Sequence, residues 1–255
     1  MRVCVFLGPT LPHIEAAQLL DATYLPPAAE GDVYRAALQR PQVIGIVDGY
    51  FHSRAAIRHK EILWAMKEGI HVFCAASMGA LRAVELAAFG MEGVGEVFAQ
   101  YQDGTLEDDD EVAIVHGGEE AHFVAASEAM VNIRVTLAKA EKAKVISSES
   151  RVSLEKAAKE MFFPQRSYRT LLAAASELSL PAAELAAFAA WLPSGAVDQK
   201  RADARSLLSE IGRRIADGLS PKSVAYHFEN TEMWVTSTAR WTGSSAAGDA
   251  ATPLS

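Results

Sequence analysis

Short apolar runs, each stopped by a glycine, proline or polar turn, organise the first half of the chain. Val3 to Leu7 stops at Gly8-Pro9, and Val43 to Val47 stops at Asp48-Gly49. Ile70 to Cys74 runs into Ala75-Ala76-Ser77-Met78-Gly79, and Glu111 to Val115 ends at His116-Gly117-Gly118. These runs do not alternate with polar residues, so they read as strands buried on both faces. Between them lie helical patterns: Ile14 to Leu20, Val33 to Leu38, Arg54 to Lys67 and Ala80 to Ala88. Ile57, Ile62, Leu63 and Met66 fall near one face of the third, and Gly69 closes it. Strands joined through helices run parallel, which predicts a Rossmann-like three-layer α/β domain over residues 1–120.

The pattern changes after that. Val124 to Lys144, Val152 to Met161, Ser167 to Leu178, Ala182 to Trp191 and Arg201 to Gly218 all have helical character, with Pro164, Pro181, Pro193 and Pro221 between or at their ends. Ser220-Pro221 opens a further predicted helix, Lys222 to Phe228. Residues 121–241 therefore form a predicted α-helical C-terminal region. From Thr242 the chain holds almost no bulky apolar side chain, so residues 242–255 are expected to be a disordered tail.

Composition narrows the function classes. The chain has 255 residues, half of them apolar, and a net charge of −8. It carries no basic stripe, which disfavours a nucleic-acid partner. No apolar run approaches the about 20 residues of a membrane helix. Arg2 is followed by only a short apolar stretch, unlike a signal peptide, so a cytoplasmic location is expected. Cys4 and Cys74 sit in apolar runs and read as buried thiols rather than a disulfide or a metal pair. No Gly-rich dinucleotide or phosphate loop appears, and no cofactor is expected.

The candidate chemistry gathers at Ser77. A serine between strand and helix, with small residues two positions to each side, has the layout of a nucleophile elbow. It also has the layout of an ordinary tight turn with an N-capping serine. In a parallel sheet, ligands bind beyond the carboxyl ends of the strands. Four turns fall there: Gly8-Pro9-Thr10, Asp48-Gly49-Tyr50, Ser77-Met78-Gly79 and His116-Gly117-Gly118. Their convergence makes Gly8, Asp48 and Tyr50 candidate substrate contacts. His116, with space left around it by two glycines, is the first candidate base, and His59 is its rival. The Met78 amide and the Gly49 or Tyr50 amide are candidate oxyanion donors. Asp108-Asp109-Asp110-Glu111 reads as a weak metal site, as a solvated loop, or as the source of an acid, Asp110, that orients a histidine. No metal is expected. Arg82 either holds a substrate carboxylate or pairs with Glu85, and Asn132 with Arg134 is either a binding contact or a buried pair. Trp191, Trp234 and Trp241 read as core residues or as partner anchors.

Together these segments resemble the TfuA-like family. The resemblance runs through Val5-Phe6-Leu7-Gly8-Pro9, Gly45-Ile46-Val47-Asp48-Gly49-Tyr50-Phe51, His59-Lys60-Glu61-Ile62-Leu63-Trp64, Ala76-Ser77-Met78-Gly79-Ala80-Leu81-Arg82-Ala83, Asp109-Asp110-Glu111-Val112-Ala113 and Val131-Asn132-Ile133-Arg134. It is dense over residues 3–140 and thin beyond. It implies a partner of YcaO enzymes, which activate a backbone amide so that sulfur replaces its oxygen. The implied role is hydrolysis of the C-terminal thiocarboxylate of a ThiS-type ubiquitin-like sulfur carrier, releasing sulfide. Cys74 to Ala80 also looks like the nucleophile segment of Clp-type serine peptidases, where a histidine on a following strand is the base. Their third triad member has no clear counterpart, which leaves Asp110, Asp198 or no acid. Two competing readings remain at this stage: a non-catalytic adaptor that binds the carrier or YcaO, and a nucleotide-binding protein.

Overall fold

The structure, a computed structural model, describes residues 3–50 and 54–243. Strands β1 (Val3–Phe6), β2 (Thr23–Leu25), β3 (Val43–Ile46), β4 (His71–Ala75) and β5 (Glu92–Val94) form a 5-stranded sheet in the order β2-β1-β3-β4-β5. Every pairing is parallel. Helices α1 (His13–Leu19), α2 (Asp32–Leu38), α3 (His59–Lys67), α4 (Met78–Leu86) and α5 (Glu96–Gln102) lie between and after the strands. Then come α6 (Met130–Lys142), α7 (Ser148–Glu160), α8 (Tyr168–Ala175), α9 (Ala182–Gly195), α10 (Gln199–Ala216) and α11 (Glu232–Gly243). The α/β fold with a C-terminal helical region is the one the apolar pattern predicts.

The uninterrupted apolar strands have a direct cause. Successive side chains point to opposite faces of a strand, and both faces are covered. Phe6, Ile44, Ile46, Val72 and Cys74 pack with Val33, Ile62, Met66, Ala83 and Leu86 on one face. Val3, Val5, Val43, Val47, Phe73 and Ala75 pack on the other with Leu11 and Ala16, and with Ala204, Leu207, Leu208 and Ile211 of α10. The second face is thus closed by a helix from late in the chain. A separate core holds α6 to α9 together through Met130, Leu137, Leu154, Leu171 and Phe188.

Several elements differ from the pattern-based expectation. Glu111 to Val115 is not a strand: a 3-10 turn over Asp109–Glu111 opens it, and His116 makes only an isolated bridge to Ala125. Side chains take the backbone groups a strand neighbour would have taken. Lys200 Nζ donates to the Val112 carbonyl at 2.9 Å, and the Val115 amide donates to Ser127 Oγ at 2.8 Å. The remaining strands are instead Thr23–Leu25 and Glu92–Val94, short edge segments without an apolar run. Lys222 to Phe228 is not helical either. It runs along the flank of α3, its Lys222 amide donating to Gly69 and its Tyr226 hydroxyl to Leu63. The helix follows it, as α11. Of the predicted tail, residues 244–255 lie outside the described residues.

Candidate active site

The turn after β4 is held by strain and by close packing. Ala76 has φ of 65°, a left-handed conformation that costs a residue with a Cβ about 1–3 kcal/mol. It turns the chain so that Ser77 stands at the N-terminus of α4. Gly79 is required there: a Cβ would lie 2.0 Å from the Ile46 carbonyl oxygen. The Gly79 amide donates to the Val47 carbonyl at 3.2 Å, which fixes the first turn of α4 on the end of β3. Ser77 is 6% exposed and occupies the N-cap position, yet its hydroxyl makes no capping hydrogen bond. A simple N-capping serine does not describe it.

Two backbone amides converge beside it. Gly49 forms a parallel bridge with Ala28, in which the Ala28 amide donates to the Asp48 carbonyl and the Tyr50 amide to the Ala28 carbonyl. In extended chain, successive amides point to opposite sides, so the Gly49 amide faces away from Ala28. A Cβ on Gly49 would stand 3.2 Å from Met78 Cβ, which places the two residues side by side. Among the described residues neither the Gly49 nor the Met78 amide has an acceptor, whereas the Tyr50 amide is bonded to Ala28. The Met78 amide also lies at the positive end of α4.

Asp48, 1% exposed, holds the neighbouring turn. Its carboxylate accepts from the Gly8 amide at 2.9 Å, the Thr10 amide at 3.1 Å and the Thr10 hydroxyl at 2.6 Å. Gly8 and Asp48 therefore shape the strand-end turns through each other.

A cavity of about 390 Å³ opens over these groups. Its walls include Asp48, Gly49, Tyr50, Ser77 and Met78 from the sheet edge, Val112 to Gly118, and Phe162, Phe163 and Pro164. Ser77 and His116 thus share one cavity, although no hydrogen bond joins them in this structure; such bonds are often long before substrate binds. The His116 ring contacts those of Tyr50, 5.8 Å away, and Phe123, 5.9 Å away, measured between ring centroids. Arg54 Cζ sits over the Tyr50 ring, 4.8 Å from its centroid.

The other candidates are engaged elsewhere. His59 is outside the cavity, paired with Glu85 at 2.8 Å on the exposed surface. Asp110 does not approach His116; it is bound by Lys159 and Arg166. Burial alone would raise the Asp110 carboxyl, but hydrogen bonds from Lys159 and Arg166 outweigh it and hold it below the usual range. Lys159 Nζ contacts Asp108, Asp110 and Glu111 together, so an ammonium stands among the only oxygens that resemble a metal cluster in the described residues. Arg82 donates to the Ile57 carbonyl and pairs with Glu85. Arg134 binds Glu111 and Glu155. Asn132 donates to Glu128 and Asp198 and accepts the amides of Gln199 and Lys200, a buried structural knot. Asp198 caps α10 through the Arg201 amide.

Two contributors escape sequence reasoning. Phe162 to Pro164 reach the cavity from the α7–α8 connection, far along the chain, with no motif to mark them. Lys200 is 2% exposed and braces the cavity wall through Val112. Desolvation lowers its ammonium pKa, and the charges of Asp48, Asp198 and Glu128 oppose that shift. A lysine in a helical pattern gives no sign of this, because only the tertiary contact buries it.

Residues 48–167 match the family model described as TfuA-like protein. No curated protein matches the chain. The matched stretch includes the whole cavity wall except Pro9. Over residues 48–167, and with them nearly all of the candidate active site, the chain is similar to the TfuA-like family.

Proposed function

We propose that the protein is an accessory hydrolase of YcaO-dependent backbone thioamidation, which releases sulfide from the C-terminal thiocarboxylate of a ThiS-type carrier. The supporting observation is the grouping of a non-capping Ser77 hydroxyl with two unpaired amides, Gly49 and Met78, in the cavity that holds His116. Ser77 Oγ attacks the acyl carbon while His116 takes its proton. The Gly49 and Met78 amides receive the developing oxyanion, a task that needs donors not already bonded. Water then frees the carboxylate from the acyl-serine. The family match supports the YcaO setting, and a cavity of about 390 Å³ has room for the end of a carrier tail but not for a folded domain.

The test uses carrier thiocarboxylate and this protein, without YcaO. Sulfide should appear, and Ser77→Ala should reduce its rate by about 10³-fold or more with the circular dichroism spectrum unchanged. Undiminished release by the folded variant overturns the serine mechanism. A second reading, a non-catalytic adaptor, draws on the exposed apolar side chains Val115 and Phe162 at the cavity rim. Carrier binding without any sulfide production would favour it.

A further inference from the structure

His116 already has an orienting partner, and it is not an acid. Its Nδ1 lies 2.8 Å from the Gly117 carbonyl oxygen. A carbonyl oxygen only accepts, so Nδ1 carries the proton and Nε2 of the neutral ring keeps its lone pair. The ring meets Tyr50 in a tilted contact and Phe123 in an edge-on one. The acids that the sequence offers as an orienting group, and the buried carboxylates Asp48 and Glu111, are committed elsewhere: Asp110 to Lys159 and Arg166, Asp198 to Asn132 and the α10 cap, Asp48 to Gly8 and Thr10, and Glu111 to Arg134 and Lys159.

We propose that the Gly117 carbonyl takes the place of the triad acid, and that the site is thereby confined to acyl carbons bonded to sulfur, thioesters as well as thiocarboxylates, and does not cleave amides. This rests on the Ser77 hydrolase reading. A carboxylate beside an imidazole both orients it and stabilises the imidazolium formed during attack. A neutral carbonyl orients equally well but stabilises that charge less. Amide cleavage suffers most, because a strongly basic nitrogen must leave and must be protonated by the imidazolium as it does so. A thiolate or hydrosulfide departs with its electron pair readily. In the balanced step the Oγ–C bond forms, the Oγ proton passes to Nε2, and the C–S bond breaks with its electrons on sulfur. A thioester releases a thiolate that then takes that proton, whereas a thiocarboxylate anion takes it on sulfur as the C–S bond breaks and leaves as hydrosulfide. Water, giving a proton to Nε2, attacks the acyl-serine; the carboxylic acid leaves and Ser77 regains its proton.

One peptide prepared as a C-terminal thiocarboxylate, a thioester and an amide tests the substrate limit. Nitrogen NMR of the His116 imidazole tests the orienting partner independently of turnover. The thiocarboxylate and the thioester should both be hydrolysed, and the amide should be slower than the thioester by more than about 10⁴-fold. The neutral ring should be the Nδ1–H tautomer. Folded Asp110→Asn and Asp198→Asn proteins, rated per folded molecule, should keep thioester kcat within about tenfold, since a true triad acid costs about 10⁴. A smaller amide gap, an Nε2–H tautomer, or a larger loss in either variant overturns the proposal. Undiminished thioester hydrolysis by Ser77→Ala instead overturns the hydrolase reading itself.

Discussion

At the scale of single residues, the site depends on positions where a side chain is kept out as much as on those where one is supplied. Gly79 is the clearest case. An added methyl would lie 2.0 Å from Ile46 O, so α4 would have to lift off β3 and carry the Met78 amide with it. Gly79→Ala should destabilise the protein by about 3 kcal/mol, read from the urea midpoint, and should lower sulfide release beyond what the unfolded fraction explains. Ser77, Gly79 and Gly49 were legible in the sequence because small residues at a strand end have few other uses. His116 was legible for a related reason, the two glycines after it. Asp110 misled: acids beside a candidate histidine strand look like an orienting group. Lys159 and Arg166, both distant in sequence, decide where that carboxylate goes.

At the scale of elements, helices α2 and α3 are fastened by one buried carboxylate. Glu61, fully buried at the start of α3, accepts the Arg58 amide at 3.1 Å and the Tyr34 amide of α2 at 3.4 Å. Burial pushes its carboxyl up to about 7, against an ordinary value of 4.5. The folded state therefore holds a proton that the unfolded chain has released, and stability falls as pH rises between those values. Glu61→Gln should flatten that fall, by up to about 3 kcal/mol between about pH 5 and about pH 8 in urea titrations. An unchanged slope would mean that Glu61 is ionised throughout. The segment from Glu111 to Val115 teaches a complementary lesson. Its first apolar residues are buried as a strand's would be, with Val112 1% and Ala113 4% exposed. Burial alone does not make a strand; a backbone neighbour must be in register, and here side chains of α10 and the 126–129 stretch fill that role.

At the scale of the whole molecule, late segments complete early ones. Helix α10 covers one face of the sheet, and its Asp203 accepts the amides of Glu96 and Val97 at the start of α5. Helix α11 returns to α2 and α3, where Tyr34, Trp64, Trp234 and Trp241 form an aromatic cluster with edge-to-face contacts. Trp234 and Trp241 are therefore core residues, 6% and 4% exposed, and Trp191 packs on Phe188 within the helical core. None lines the cavity over Ser77. Trp234→Ala should cost about 3–5 kcal/mol in denaturant unfolding and leave sulfide release per folded molecule unchanged. A selective loss of activity would show that α11 acts on the site. No helix among the described residues is long and apolar enough to cross a membrane.

The sequence by itself determined the parallel sheet, the flanking helices and the strained turn at Ser77. Each of these follows from local information: apolar runs of strand length, breakers between them, and small residues where backbones approach. Tertiary structure alone decided which amides stay unpaired, that Asp110 and Asp198 are drawn to partners other than His116, that Phe162 to Pro164 line the cavity, and that Lys200 braces it through Val112. Those outcomes depend on which groups meet across long separations. A residue's type and near neighbours carry no record of that, because any charged or polar group can be satisfied by several partners until the fold selects one. The Ser77 turn was thus visible as a candidate from the first reading, and its chemistry takes shape only in the company the fold gives it.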